Sequence, residues 1–249
     1  MNFKIVENRK LSEKDFLLTV EINDRKLLNK IKPGQFAMVS VSSPQSFDPL
    51  LKRPLGIFNV EENNISFIYR VYGRGTKLLT TFKKGEQVSV LLPLGNSIPD
   101  QFDRYLFIAG GIGIGGVFLA AKTFLQAGKD VHLLYGEKSK ENLSALPVIE
   151  KYKIPTTTFT EDGSYGKKGF VTEGLSEFKD RVWIACGPIP MLKAVKETAE
   201  KLKVKCFLSL DMRMACGVGA CLGCVVKTTS GYKRCCVEGP IFDASEVLL

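Results

Sequence analysis

Residues 211–243 read DMRMACGVGACLGCVVKTTSGYKRCCVEGPIFD. Five of the chain's seven cysteines fall here, Cys216, Cys221, Cys224, Cys235 and Cys236, and the first three keep the spacing C-x4-C-x2-C. A short loop with that spacing turns three thiolates toward one centre. A fourth follows after eleven residues at Cys236, or after ten at Cys235. Four thiolates around two irons is the plant-type pattern of a [2Fe–2S] cluster. Gly217, Gly219 and Gly223 are interleaved with the thiols, where the backbone has to bend around an inorganic core and aim N–H groups at sulfur.

Two other thiol chemistries compete with this reading. Disulfides fit poorly: the count of seven is odd, the opening MNFKIVENRKL alternates charged and apolar residues unlike an export signal, and five thiols within 21 residues pair only under strain. A zinc ribbon needs a second spaced pair, and here that pair is the adjacent Cys235 and Cys236, whose side chains diverge. A cytoplasmic protein with reduced thiols is expected.

At 249 residues, 45% of them hydrophobic, the chain suits two domains and an appendage. Its formal charge of +9 invites a nucleic-acid reading, yet lysine and arginine are spread along the whole length with no basic tail and no aromatic–basic repeat. A basic surface that draws in an anionic cofactor or an acidic partner is the plainer account. Tyr105 to Ala121 is uncharged for 17 residues but carries five glycines, so it reads as a buried strand, loop and helix rather than a membrane span. Neither nucleic acid nor membrane is expected as a partner.

Residues 1–98 read as β-structure. Segments 16–22, 36–42, 65–72 and 87–94 are rich in β-branched and aromatic residues and separated by turn signals, which points to an antiparallel barrel. Two fragments within it look like ligand sites. Arg53-Pro54-Leu55-Gly56 sets an arginine beside a proline-fixed extended backbone, suited to a diphosphate and a flat ring. Ile68-Tyr69-Arg70 runs on to Gly73-Arg74-Gly75-Thr76, a turn that can open a helix and face an anion with backbone N–H groups.

From Arg104 the period changes. LFIAG (106–110) is a continuous apolar strand, and Gly111-Ile112-Gly113-Ile114-Gly115-Gly116 satisfies G-x-G-x-x-G ahead of a helical run, a receptor for a pyrophosphate. The next strand ends at Glu137, placed to bond a ribose hydroxyl and so to favour NAD over NADP, with Lys138 and Lys140 close by. Helix-forming and strand-forming segments then alternate. Cys186-Gly187-Pro188 ends a strand at the edge where open α/β sheets hold their ligands. Cys186 and Cys206 also read as small buried hydrophobes, and His132, the single histidine, as a packed residue. The expected domains are a β-barrel over 1–98, a Rossmann-like parallel α/β domain over 99–209 and a small C-terminal cluster domain over 210–249.

Arg-Pro on a barrel, Gly-x-Gly-Thr, a glycine-rich strand end and Cys-Gly-Pro-x-x-Met (186–191) together resemble the ferredoxin–NADP reductase superfamily. With the C-x4-C-x2-C-x11-C tail, EDGSYGKKGFVTE (161–173) and CVEGPIFDASEVLL (236–249), nearly the whole chain resembles the electron-transfer subunits of NAD-dependent, two-subunit dihydroorotate dehydrogenases. The resemblance implies FAD held by Arg53 to Gly56, Ile68 to Arg70, Gly75 and Thr76. It implies a [2Fe–2S] cluster on Cys216, Cys221, Cys224 and Cys236, with Cys235 a bystander. It also implies NAD(H) as substrate and an FMN-containing catalytic subunit as partner, in a heterotetramer serving pyrimidine biosynthesis. The chain departs from the family at Gly56, where a hydroxyl residue is usual, and at Gly115-Gly116, where proline usually follows the glycine-rich loop.

Such parts make a relay, since nicotinamide exchanges a hydride, a cluster exchanges single electrons, and a flavin converts between them. Arg213, Lys227, Lys233 and Arg234 flank the cysteines in sequence and would raise the cluster's potential. No residues are arranged to deprotonate dihydroorotate, which leaves that chemistry to the partner. A small subunit of an NAD(P)H–ferredoxin or sulfide/sulfite oxidoreductase would use the same cofactors. A zinc-stabilised nucleic-acid-binding module is the reading from another class, and visible absorption separates it from the others.

Overall fold

The computed structural model of the chain describes residues 1–42 and 48–249. The first domain comprises β1 (Asn2–Lys10), β2 (Asp15–Glu21), α1 (Arg25–Leu28), β3 (Phe36–Val39), β4 (Arg53–Gly56), β5 (Asn59–Glu61), β6 (Asn64–Arg70), α2 (Arg74–Leu79) and β7 (Gln87–Leu94). Its strands pair antiparallel in the order β4-β3-β7-β1-β2-β6-β5, a curled sheet in which β4 comes round against β6. Side-chain alternation decides the faces. Leu18, Val20, Phe67, Tyr69, Val88 and Val90 fill the barrel interior, whereas Leu17 and Ile68, one residue out of step, pack outward against the next domain.

That domain contains β8 (Arg104–Gly110), α3 (Ile114–Gln126), β9 (Asp130–Glu137), α4 (Leu146–Lys151), β10 (Thr156–Thr160), β11 (Lys167–Lys168), β12 (Val182–Cys186), α5 (Ile189–Leu202) and β13 (Cys206–Ser209). The strands run parallel in the order β11-β10-β9-β8-β12-β13. The chain leaves β8 toward β9 on one side and later returns to β12 on the other, so a crevice opens at the carboxyl ends of β8 and β12. Tyr105 to Gly110 are all buried, which is why β8 reads as an unbroken apolar run. Of the segments that alternate after Glu137, 141–152 and 169–178 form only short or tight helical turns. Proline opens the short α4, and 171–178 is a 3-10 helix.

The tail is less separate than its composition implies. β14 (Val225–Thr228) and β15 (Gly231–Arg234) form a hairpin after the cysteine loop, and β16 (Ile241–Asp243) then pairs antiparallel with β13. Buried Phe242 shares a core with Trp183 and Leu208. Asn96 fastens the barrel end as well, donating to the Glu238 and Ile241 carbonyls and accepting the Ile241 N–H. Apolar burial after Gly239 therefore pulls the cluster segment onto both neighbours. Among the described residues no helix is long and apolar enough to cross a membrane.

Candidate functional site

A cavity of about 790 Å³ opens where the barrel, the crevice of the parallel sheet and the segment leading into the cysteines meet. Arg53, Pro54, Leu55 and Gly56 line it from β4, and Ile68, Tyr69 and Arg70 from the end of β6. Gly75, Thr76, Gly111, Gly113, Cys186, Gly187 and Pro188 complete the wall expected from the motifs, and Glu137 alone is missing from it.

The two barrel fragments form one subsite. The Arg53 guanidinium lies over Gly75 so closely that any Cβ there would overlap it, and its Nη1 donates to the Leu51 carbonyl. Thr76 spends its hydroxyl at home, accepting the Tyr72 and Gly73 N–H groups at 3.0 and 3.3 Å as the cap of α2. Tyr69 offers the cavity main chain only, because its ring sits in the barrel core and its Oη donates to Asn8 Oδ1 at 3.0 Å.

Gly56 and Gly115-Gly116, the two departures from the family, are a single contact. A Cβ on Gly56 would stand 2.8 Å from the Gly115 carbonyl oxygen and 3.3 Å from Gly116 Cα. A Cβ on Gly116 would stand 2.9 Å from Cys186 Sγ. The helix α3 begins within the glycine run, so G-x-G-x-x-G here describes a close meeting of β4, α3 and β12. Cys186 is 7% exposed, and burial pushes its thiol up to about 12, which keeps it protonated at neutral pH. Beyond it the cavity reaches Ser209, Asp211 and Met212 to Met214, none of which the motifs mark.

Glu137 lies off the cavity wall and is paired with Arg70. Its side chain is 4% exposed, Oε1 lies 2.5 Å from Arg70 Nη2, and Oε2 accepts the Lys138 N–H at 3.3 Å. Arg70 also forks onto Asp15 at 2.6 and 2.8 Å, and that fully buried carboxylate accepts the Ser144 hydroxyl at 2.8 Å. Burial raises the Glu137 carboxyl and Arg70 opposes the rise.

In the cluster loop Gly217 and Gly219 take φ values of 72° and 80°, the left-handed bends that glycine permits. Backbone N–H groups then point at sulfur: Val218 at Cys216 Sγ (3.4 Å), Gly219 at Cys236 Sγ (3.1 Å) and Cys236 at Cys224 Sγ (3.4 Å). The Val218 N–H leads the contacts that bring the Cys216 thiol down to about 6. Cys235 turns the other way. It is fully buried, donates its thiol to the Leu210 carbonyl at 3.0 Å, and is pushed by burial up to about 12. The basic residues nearby are not bare, since Arg234 is paired with Glu238 and Lys233 with Glu246 at 2.5 Å. Among the described residues no three Cys, His, Asp or Glu side chains converge as a site for one metal ion. N–H groups aimed at these sulfur positions suit thiolates shared between two irons.

Residues 211–248 match the family described as the iron–sulfur cluster binding domain of dihydroorotate dehydrogenase B. The chain is 45% identical over 252 residues to an Aquifex aeolicus protein named dihydroorotate dehydrogenase B (NAD(+)), electron transfer subunit homolog, covering 100% of this chain and 98% of that one. It is 33% identical to the Clostridium acetobutylicum electron transfer subunit of that enzyme, over 99% of this chain and 96% of the relative. Among solved structures, a chain described in a study of flavin-based electron bifurcation by the NADH-dependent reduced ferredoxin–NADP oxidoreductase superposes with a TM-score of 0.87 at 26% identity, covering 99% of this chain and 89% of that one. The cytochrome b5 reductase domain of Ulva prolifera nitrate reductase shares the fold at a TM-score of 0.67 and 19% identity, over 81% of this chain and 92% of the domain. With alignments at 45% and 33% identity that span nearly the whole of both chains, the chain belongs to the electron transfer subunits of dihydroorotate dehydrogenase B.

Proposed function

We propose that this chain passes electrons between the FMN-containing catalytic subunit of a dihydroorotate dehydrogenase and NAD, by way of a [2Fe–2S] cluster and FAD, in pyrimidine biosynthesis. The observation that carries this reading is continuity, for one cavity runs from Arg53 and the Gly111 loop to Met214, two residues before Cys216. Arg53, Pro54, Leu55 and Gly56 would hold FAD, with Gly75 and Thr76 offering backbone N–H groups and Ile68 and Tyr69 bordering the ring. Gly111, Gly113 and the Cys186–Gly187–Pro188 edge would hold NAD(H). Cys216, Cys221, Cys224 and Cys236 would carry the cluster, a choice supported by the Cys235 thiol's commitment to Leu210.

Bound here, FAD supplies exchange of two electrons with nicotinamide and of one at a time with iron–sulfur. The chain's own residues bind, orient and exclude water, with Arg53 meeting phosphate charge and the neutral Cys186 thiol closing the edge. Cys221 lies at the surface between Val218 and Leu222, 53% and 62% exposed, an apolar rim suited to the catalytic subunit in a heterotetramer. Seven free thiols accord with a reducing, cytoplasmic setting. The likeness to the ferredoxin–NADP oxidoreductase chain supports a second reading with a ferredoxin-type partner.

Anaerobic co-expression with the catalytic subunit, followed by cofactor analysis of the co-eluting complex, tests the choice. Dihydroorotate should reduce NAD only in the complex, and Cys221→Ser should stop transfer to the partner while NADH still reduces the flavin. A colourless chain that retains zinc would overturn the proposal.

A further inference from the structure

Asp15 and Arg70 belong to the barrel, on β2 and β6, whereas Glu137 ends β9 of the nucleotide domain and Ser144 follows it. The four side chains meet at the junction. Arg70 uses Nε and Nη2 on Asp15 at 2.6 and 2.8 Å and Nη2 again on Glu137 at 2.5 Å, and Ser144 braces Asp15 from the far side. A guanidinium has five N–H donors, and the two on Nη1 are left over from this arrangement. The place they face is the glycine loop: a Cβ on Gly111 would meet Glu137 Oε1 at 3.5 Å and Arg70 Nη1 at 3.6 Å. Two carboxylates against one cation also leave Arg70 little charge to offer a diphosphate. Arg53 differs, having no carboxylate partner among the described residues and donating to the Leu51 carbonyl.

We propose that Arg70 is a positioning residue for the nicotinamide-dinucleotide loop, held across the domain junction by Asp15 and Glu137 so that its Nη1 edge meets the loop at Gly111, and that Glu137 serves Arg70 instead of a ribose hydroxyl. This rests on NAD(H) lying over Gly111 and Gly113, as proposed above. Glu137 then supports the pyrophosphate end, which NAD and NADP share, and is indifferent to a 2′-phosphate.

The test measures NAD+ and NADP+ binding by calorimetry in the FAD-loaded chain carrying Glu137→Gln, Arg70→Lys or both, with flavin content measured in each. Each single change should weaken NAD+ about tenfold, the scale of one charge-assisted hydrogen bond. NADP+ should weaken by the same factor, leaving the ratio of the two affinities as in the parent chain. The double variant should be no weaker than the worse single, since both changes sever one contact. FAD content should be unchanged in Glu137→Gln. A Glu137→Gln chain that gains NADP+ relative to NAD+ would return Glu137 to the ribose and overturn the inference, as would loss of FAD with NAD+ affinity intact. Should Arg70→Lys fail to fold, the affinity ratio in Glu137→Gln decides alone. A parent chain that binds neither nucleotide would sink the functional reading itself, an outcome distinct from a shifted ratio.

Discussion

Replacing Gly56 by serine restores the hydroxyl usual at this position in the family, and it should make the protein less stable. The new Cβ would lie 2.8 Å from the Gly115 carbonyl oxygen, 3.1 Å from the Gly115 carbonyl carbon and 3.3 Å from Gly116 Cα. All three are backbone atoms at the start of a 13-residue helix, and β4 is itself paired along β3, so neither side can swing away. Forcing the two apart is overpacking, which costs about 1–3 kcal/mol. Gly115→Ala is the internal control. Its Cβ would meet Ile68 Cγ2 at 2.8 Å, the branch methyl of a single buried side chain, and the nearest backbone atom on that side, Ile68 O, is 3.6 Å away. Alanine also gains up to about 1 kcal/mol of helix propensity over glycine. The expected order is therefore Gly56→Ser and Gly56→Ala destabilised most, and Gly115→Ala less, its one side-chain overlap offset by the gain in helix propensity. In a chain of this size the Gly56 variants should melt about 2–12 °C lower. Thermal unfolding followed by far-UV circular dichroism, with and without bound FAD, separates the packing cost from any loss of flavin affinity. A Gly56→Ser chain that melts with the parent, or a Gly115→Ala chain that loses as much, would refute the close approach of β4 and α3.

Cys236→Ser should lose iron and the reduced-cluster paramagnetic signal, whereas Cys235→Ser should keep both; iron lost from Cys235→Ser would reverse the assignment. Lys122 is 6% exposed and donates across the domain junction to Asn59 Oδ1 at 2.5 Å and the Val60 carbonyl at 2.8 Å. Lys122→Met should cost about 1–3 kcal/mol in urea unfolding by stranding those acceptors, and an unchanged midpoint would mean the two domains are not joined there. The Arg234 hydrogen bond holds the Glu238 carboxyl down to about 2, against an ordinary value of 4.5. The unfolded carboxyl takes its proton at the higher pH, so the pair's stabilisation is complete above about 4.5 and disappears as pH falls through about 2. Glu238→Gln should flatten the stability curve across that interval, and a curve that keeps the parent's slope there would dismiss the pair as a source of acid sensitivity.

Features that depend on neighbours along the chain are legible from the residues alone: the thiol spacing, the doubly covered β8, the turn at Gly75 and the glycine loop all sit where their local chemistry puts them. Partnerships between charges are not. Glu137 ends a strand where a ribose would bind, and Arg70 ends another where a phosphate would, and each expectation treats its residue alone. The fold brings them to 2.5 Å, and a carboxylate 4% exposed must be paired before it can serve anything else. Asp15, between Lys14 and Phe16, looks like a surface residue until the register of β2 on β6 sets it opposite Arg70. Gly56 and Gly115-Gly116 make the same point with shape in place of charge, since two departures that look like separate losses in sequence occupy one contact in space. Arg70 holds Glu137 by Oε1, so the acceptor capacity left to that carboxylate lies on Oε2, which takes the Lys138 N–H at 3.3 Å. A strand-end motif therefore marks a carboxylate at the crevice, and only the packing of β6 against β9 shows which cation it meets first.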